Sequence, residues 1–431
     1  MHKTYLLLIF LSMLVLPLQG VSVAADEPTD DLVTLINAAL DHNPALLAIL
    51  DQQQGAGHRI ESADDLADPV LSFAFSNYPV DSYASDESPM TGNEVRLDQR
   101  LPYPGKLGSK KEMVARDAAW FQGQYEDARF ELTRKIKDAY YMLYAVDRAI
   151  DTVTNNLVLL DDLARLAETR YQVGKAKQSD VLKIHLEKTS QRDRLIQLER
   201  QRVTVQGNLN SLANRPVDTA IRPPVKIEIR PLDPALDLET LKAGAESHRP
   251  QFAAWQAKVE QVKLQRELDR LDYKPDLNLW ASYRFRDDNL PDQGTDFASV
   301  GFSFNLPFNR SRRAAAVASS ESMVNQARNQ FADFRSKVEF AIDDSWHAAR
   351  HNYDLVELYR TGMVPQARQV YAAALSAYQV GKADFNELLS ALLARDKFEL
   401  ELHRLVSEYL QAVARLEAAS GVAIHVTNLD G

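Results

Sequence analysis

Tyr171-Gln172-Val173-Gly174-Lys175-Ala176 occurs a second time in this chain as Tyr378-Gln379-Val380-Gly381-Lys382-Ala383, at an offset of 207 residues. Three further landmarks repeat in the same order. His42-Asn43-Pro44 returns as His248-Arg249-Pro250, Pro69 as Pro275, and Leu101-Pro102 as Leu306-Pro307, at offsets of 206, 206 and 205. Four ordered matches at nearly constant spacing establish a tandem duplication. The copies span residues 26–214 and 236–421. Between them, residues 215–235 hold five prolines (Pro216, Pro223, Pro224, Pro231, Pro234) and read as an extended linker. Residues 422–431 form a C-terminal tail.

Working outward from the repeated turn, both flanks read as long helices. No proline interrupts Leu107–Gln172 or Ser311–Met363. At 1.5 Å per residue the first stretch reaches roughly 100 Å as a single helix, too long for a compact domain to bury. It is expected in a coiled coil or a helical barrel. After the turn, Val181, Ile184, Leu195, Leu198, Val205, Leu209 and Leu212 fall on alternating three- and four-residue steps, with Lys188, Gln191 and Arg202 filling the gaps. In the second copy the series includes Leu388, Leu402, Leu405, Tyr409 and Leu416. Such a partly apolar seam suits a tube with a wet interior.

Upstream of each long helix lie a helix broken at Pro44 or Pro250, which resumes to about Ala67 or Tyr273, and then two runs of period two. Leu277, Leu279, Ala281, Tyr283 and Phe285 alternate with Asn278, Trp280, Ser282, Arg284 and Arg286. Val300, Phe302, Phe304 and Leu306 alternate with Ser299, Gly301, Ser303 and Asn305. The first copy repeats this with Leu71, Phe73 and Phe75, then Val95, Leu97 and Leu101. Period two sends alternate side chains to opposite faces of a sheet. Runs of about 9–11 residues suit tilted membrane strands. The connecting loops, Asp81–Asn93 and Asp287–Asp296, are polar and acidic. Four strands cannot close a barrel, so a barrel needs several chains.

Composition narrows the function. Charged residues make up 26% of the chain and the net charge is −10, which excludes the basic face a nucleic-acid binder needs. His2 and Lys3 precede an apolar run, Tyr5–Leu18, and small residues end at Ala25, so residues 1–25 read as a secretory signal peptide. The chain has no cysteine, which excludes disulfides and a lipoprotein anchor. No phosphate-binding loop, nucleophile elbow or cofactor motif is present, so the chain is expected to be no enzyme and to bind no cofactor. His347 and His351, four apart with Asp343 a turn earlier, have zinc spacing. The glutamate of a His-Glu-x-x-His motif is absent, and a surface stripe is the preferred reading.

The duplicated order of helix, two strands, long helix, Tyr-x-x-Gly turn and long helix resembles the outer-membrane efflux protein family, the TolC-like channels. The resemblance covers nearly the whole chain after the signal. Its strongest marks are the two Tyr-Gln-Val-Gly-Lys-Ala turns and Leu101-Pro-Tyr-Pro-Gly-Lys106, which looks most like the heavy-metal-efflux branch. The resemblance implies a mainly helical chain with a small β part. It implies a homotrimer in which each subunit contributes four transmembrane strands to one barrel in outer-membrane lipid, above a helical periplasmic tunnel. It further implies a periplasmic adaptor protein and an inner-membrane efflux pump as partners, with Val173, Gly174, Val380 and Gly381 at the adaptor contact. Glu387 occupies a position of the family's acidic ring, while Ser390 stands where a second acid would be. Asp180 and Tyr378 match two partners of a polar lock at the pore gate, whose arginine is replaced by Ala383 with Lys382 beside it. A periplasmic coiled-coil scaffold or adaptor without a pore is the competing reading. It leaves the paired aromatic strands unexplained.

Overall fold

The structure, a computed structural model, describes residues 31–290 and 293–427. The expected signal peptide and the last four residues of the tail lie outside the described residues. The first copy contains α1 (Leu32–His42), α2 (Pro44–Glu61), β1 (Val70–Ser76), β2 (Gly92–Leu101), α3 (Lys106–Gln172) and α4 (Gln178–Leu212). The second contains α5 (Leu238–His248), α6 (Pro250–Leu271), β3 (Leu277–Phe285), β4 (Phe297–Phe304), α7 (Arg310–Leu358), α8 (Val364–Gln379) and α9 (Phe385–Ser420). The order of elements thus repeats as the sequence predicts.

Proline sets the breaks. Residues before a proline are driven out of the helical region, and Asn43 and Arg249 are both extended, with ψ of 117° and 112°. Asn43 then caps α2, its Oδ1 accepting from the Leu46 N–H at 3.1 Å while its Nδ2 donates to the Leu212 carbonyl at 2.9 Å. Helix α2 ends at Glu61, earlier than the expected Ala67, because residues 62–69 form a turn and an extended lead into β1. At the other end of the strands, Gly105 stands at φ +95°, and this left-handed residue opens α3.

Helix α3 is one unbroken element of 67 residues, about 100 Å long. Its counterpart in the second copy is not continuous. Tyr359–Met363 form a π turn between α7 and α8. Pro365 explains it: a proline inside a helix lacks its N–H and its ring collides with the carbonyl four residues back, and a wider turn relieves both. The first copy has Val158 at the matching place and needs no bulge.

Helices α3 and α4 form one hairpin, and α7–α8 with α9 form the other. Helix α3 also packs on α2, α6 and α9, tying the copies together. One buried cluster, with Leu35, Ile136, Leu143, Leu209, Ile342, Tyr409 and Leu416, fills the middle of the molecule. A second, with Leu160, Ala167, Ile184, Tyr378, Phe385 and Leu388, lies near the turns. Of the seam predicted on α4, Ile184, Gln191, Val205 and Leu209 are buried and the rest are half-buried. Residues 213–237 carry no helix. Ile221 and Ile227 enter the central core, and Ile229 bridges to Thr427 of the tail. Among the described residues no single helix is long and apolar enough to cross a membrane.

Candidate functional site

The four strands form one antiparallel sheet in the order β1-β2-β3-β4. Leu71 pairs with Leu97, Leu97 with Ala281 and Ala281 with Val300, so the alternating apolar series of the four strands share one face, with Val70, Trp280 and Phe297 on the other. Nothing among the described residues packs over that face. Leu71, Phe73, Phe75, Leu97, Leu277, Leu279, Tyr283, Phe285, Val300, Phe302 and Phe304 are all exposed. The strands are shorter than the predicted 9–11 residues at both edges, seven in β1 and eight in β4, and Leu306 lies beyond β4.

The opposite face carries the charges, and they are paired. Arg284 Nη2 donates to Glu94 at 3.0 Å, Arg96 Nε to Asp98 at 2.8 Å, and Asn278 Nδ2 to Asp98 at 2.9 Å. The Arg96 guanidinium stands 4.4 Å from the Trp280 ring centre. Trp280 in turn lies flat across Gly301, where an added Cβ would come within 2.4 Å of the indole. A soluble sheet does the reverse, hiding its apolar face and wetting its polar one. A hydrocarbon solvent outside and water inside is the environment that makes this arrangement stable.

Just below the sheet, Asp276 ties strand to helix. It is buried and accepts from Arg100 Nη2 at 2.8 Å, the Tyr103 N–H at 2.9 Å and Lys106 Nζ at 3.0 Å. Burial alone would raise its carboxyl, but these three donors outweigh it and hold the group down at about 2. The Leu-Pro-Tyr-Pro-Gly-Lys stretch is thereby clamped where strand becomes helix.

At the far end the two repeated turns lie side by side. Each closes with the same pair of hydrogen bonds: Gly174 N–H to Tyr171 O and Lys175 N–H to Arg170 O in one, Gly381 N–H to Tyr378 O and Lys382 N–H to Ala377 O in the other. This Schellman arrangement requires a left-handed residue, and Gly174 and Gly381 stand at φ +76° and +80°. Val173 and Val380 are exposed at 61% and 69%, so both tips present a bare valine. Lys183 Nζ reaches Asn386 Oδ1 at 2.7 Å and joins the hairpins.

Identical sequence does not give identical surroundings. Tyr171 is 47% exposed, whereas Tyr378 is 4% exposed. Tyr378 packs in the apolar cluster, its ring 6.0 Å from that of Phe385, and Arg170 covers it. Its guanidinium lies 4.6 Å from the Tyr378 ring centre and donates to the Tyr378 carbonyl, placing a cation at the C-terminus of α8. This cation comes from α3 and reaches the backbone and ring of Tyr378, not its hydroxyl. Its helical spacing offered no signal of this, because the contact crosses between hairpins.

The three expected gate residues are close in the chain's tip but differ in role. Asp180 begins α4, accepting from the Lys177 N–H at 3.2 Å. Burial raises the Tyr378 phenol above its ordinary range, and nearby Asp180 adds to the rise while Arg170 opposes it. The Tyr378 hydroxyl is buried without a hydrogen-bond partner among the described residues. Glu387 is exposed in the first turn of α9, its N–H held by Asp384 Oδ1 at 2.8 Å. Asp343, of the histidine stripe, is engaged by Lys242 Nζ at 2.8 Å and lies 3.9 Å from His347.

Comparison with known proteins gives the same picture. A search of curated protein sequences found no match. Solved structures match over nearly the whole chain. VceC of Vibrio cholerae has a TM-score of 0.76 at 20% identity, covering 90% of this chain and 96% of its own. The CmeC outer membrane channel of Campylobacter jejuni has 0.77 at 14%, covering 90% and 85%. CusC has 0.76 at 14%, covering 92% and 93%. At these identities the likeness is one of fold. The family model of outer membrane efflux proteins matches residues 35–215 and 243–422, one segment for each copy of the duplication. The chain therefore belongs to the outer membrane efflux protein family, as an outer-membrane channel of the Gram-negative envelope that reaches into the periplasm.

Proposed function

We propose that this protein is the passive exit duct of a tripartite export system. Three copies would join their four-stranded sheets into one barrel of twelve strands, within the range of known outer-membrane barrels. The observation that carries the reading is the inverted sheet, apolar outside and charged inside. A periplasmic scaffold without a pore has no use for such a face and would aggregate through it. Below the barrel, a 67-residue helix is long enough to carry a conduit about 100 Å into the periplasm.

In this reading the exposed tips at Val173-Gly174 and Val380-Gly381 meet a periplasmic adaptor, and an inner-membrane pump delivers the cargo. Asp180, Tyr378 and Glu387 form the gate. Around a threefold axis, three Glu387 carboxylates would repel one another and draw cations. The duct carries what its pump selects. Metal ions are the first cargo to test, on the resemblance of Leu101–Lys106 to the heavy-metal branch.

The test is single-channel recording of the mature protein in a planar bilayer. Discrete, cation-preferring openings support the duct. No conductance, together with absence from the outer-membrane fraction, overturns it.

A further inference from the structure

The sheet is open on both sides, and its two free edges differ in charge just below the strands. On the β1 side, Asp65 and Asp68 are exposed and make no ion pair among the described residues, beside exposed Leu66. On the β4 side, Arg310 and Arg312 are likewise exposed and unpaired, beside Leu306 and Phe308 at 56% and 83% exposure. Neighbouring charges on both sides are already used. Asp64 is bound by Lys111 Nζ at 3.1 Å, and Arg313 Nε donates to the Asp272 carbonyl at 2.6 Å.

We infer that Asp65 and Asp68 of one copy pair with Arg310 and Arg312 of the next, fixing which edges meet and at what level. The inference rests on the reading that several copies close one barrel. Strand β1 starts at its helix-side end with Val70, and β4 finishes at its helix-side end with Phe304. When β4 of one copy lies antiparallel against β1 of the next, residues 65–68 and 306–312 come level. Cross-strand partners must also share a face, so Leu71, Phe73 and Phe75 must sit opposite Val300, Phe302 and Phe304 rather than between them. That rule permits slips of two residues, and the backbone edges alone do not choose among them. A charge pair below each seam does choose, because a slipped or wrongly paired edge leaves four charges unmatched. Exposed pairs add little affinity. Their effect is on specificity, where misplaced like charges penalise the wrong partner. Leu66 and Phe308 add a small apolar contact at the same level.

The experiment is a charge swap in the full-length protein, read as trimer that survives unheated SDS electrophoresis of outer-membrane fractions. Asp65→Arg with Asp68→Arg should cause loss of that trimer, and so should Arg310→Asp with Arg312→Asp. All four changes together should restore it. Loss in both doubles without restoration would overturn the pairing. No effect of the acidic-edge change, with unrescued loss from the basic-edge change, would also overturn it and assign the arginines to phospholipid headgroups. If the unaltered protein itself runs only as a monomer, the multi-copy reading fails instead. Because the chain has no cysteine, Asp65→Cys with Arg310→Cys provides a second readout free of background. A disulfide-linked ladder between copies supports the level proposed, and none forming in an assembled trimer opposes it.

Discussion

Asp396, in α9, is buried at 3% exposure and is the most consequential titratable group outside the strands. Its Oδ1 takes the Arg395 guanidinium at 2.8 Å, and Arg395 is held in turn by Asn156 Oδ1 at 2.6 Å and lies 4.9 Å from the Tyr371 ring centre. Its Oδ2 is buried with no hydrogen-bond partner among the described residues. Burial is the largest influence and raises its carboxyl to about 6. Arg395 opposes the rise, while Glu399 and Glu187 reinforce it. A folded pKa above the unfolded 3.8 means that the folded state holds the proton more tightly. Stability is therefore greatest in acid, falls as pH rises from about 4 to about 6, and stays reduced above that. Two units at 1.36 kcal/mol each make the cost of the ionised form up to about 3 kcal/mol at pH 8. Asp396→Asn keeps the shape and removes the titration. At pH 8 it should slow amide exchange across α9 by about 10- to 100-fold, corresponding to 1.4–2.8 kcal/mol. The wild type should be better protected at pH 5 than at pH 8 after correction for intrinsic exchange, and the variant should be flat. Faster exchange in the variant at pH 8, or an unchanged pH slope, would refute the reasoning.

Other substitutions probe the remaining parts. Gly301→Val places a side chain where even a Cβ lies 2.4 Å from Trp280, so it should cost about 1–3 kcal/mol and lower the temperature at which SDS-resistant trimers dissociate. Arg170→Gln removes the cation over Tyr378 and at the end of α8. It should loosen that turn by about 1–3 kcal/mol, read as a larger rise in proteolysis near Gly381 than near Gly174. Val380→Asp, and Gly381→Pro at a φ of +80° that proline cannot adopt, should abolish export with trimers intact; export surviving both would remove the tip from adaptor docking. Glu387→Ala should weaken channel block by multivalent cations, and unchanged block would take Glu387 out of the gate.

Much of this protein was legible in the sequence. The duplicated landmarks gave the element order, because proline and glycine act locally: Pro44 and Pro250 break helices through their own rings, and Gly174 and Gly381 end them through their own φ. Period two placed Leu71, Phe73 and Phe75 on one face for an equally local reason, the geometry of the strand. The length of α3 followed from an unbroken run without proline.

What the sequence did not carry depends on contacts between distant segments. The π turn at Tyr359–Met363 balances Pro365 against the packing of α7 and α8 on α9, and only the packed hairpin decides whether a proline bends, breaks or bulges a helix. The service of Asp276 as a clamp needs Arg100, Tyr103 and Lys106 brought across from another strand end. The two identical hexapeptides make the point most directly. Sequence alone determined that both would turn, since a Schellman turn is closed within six residues. Tertiary structure decided that Tyr378 is buried beneath Arg170 while Tyr171 stands in solvent, because that contact joins residues 208 apart and is set by how one hairpin lies against the other.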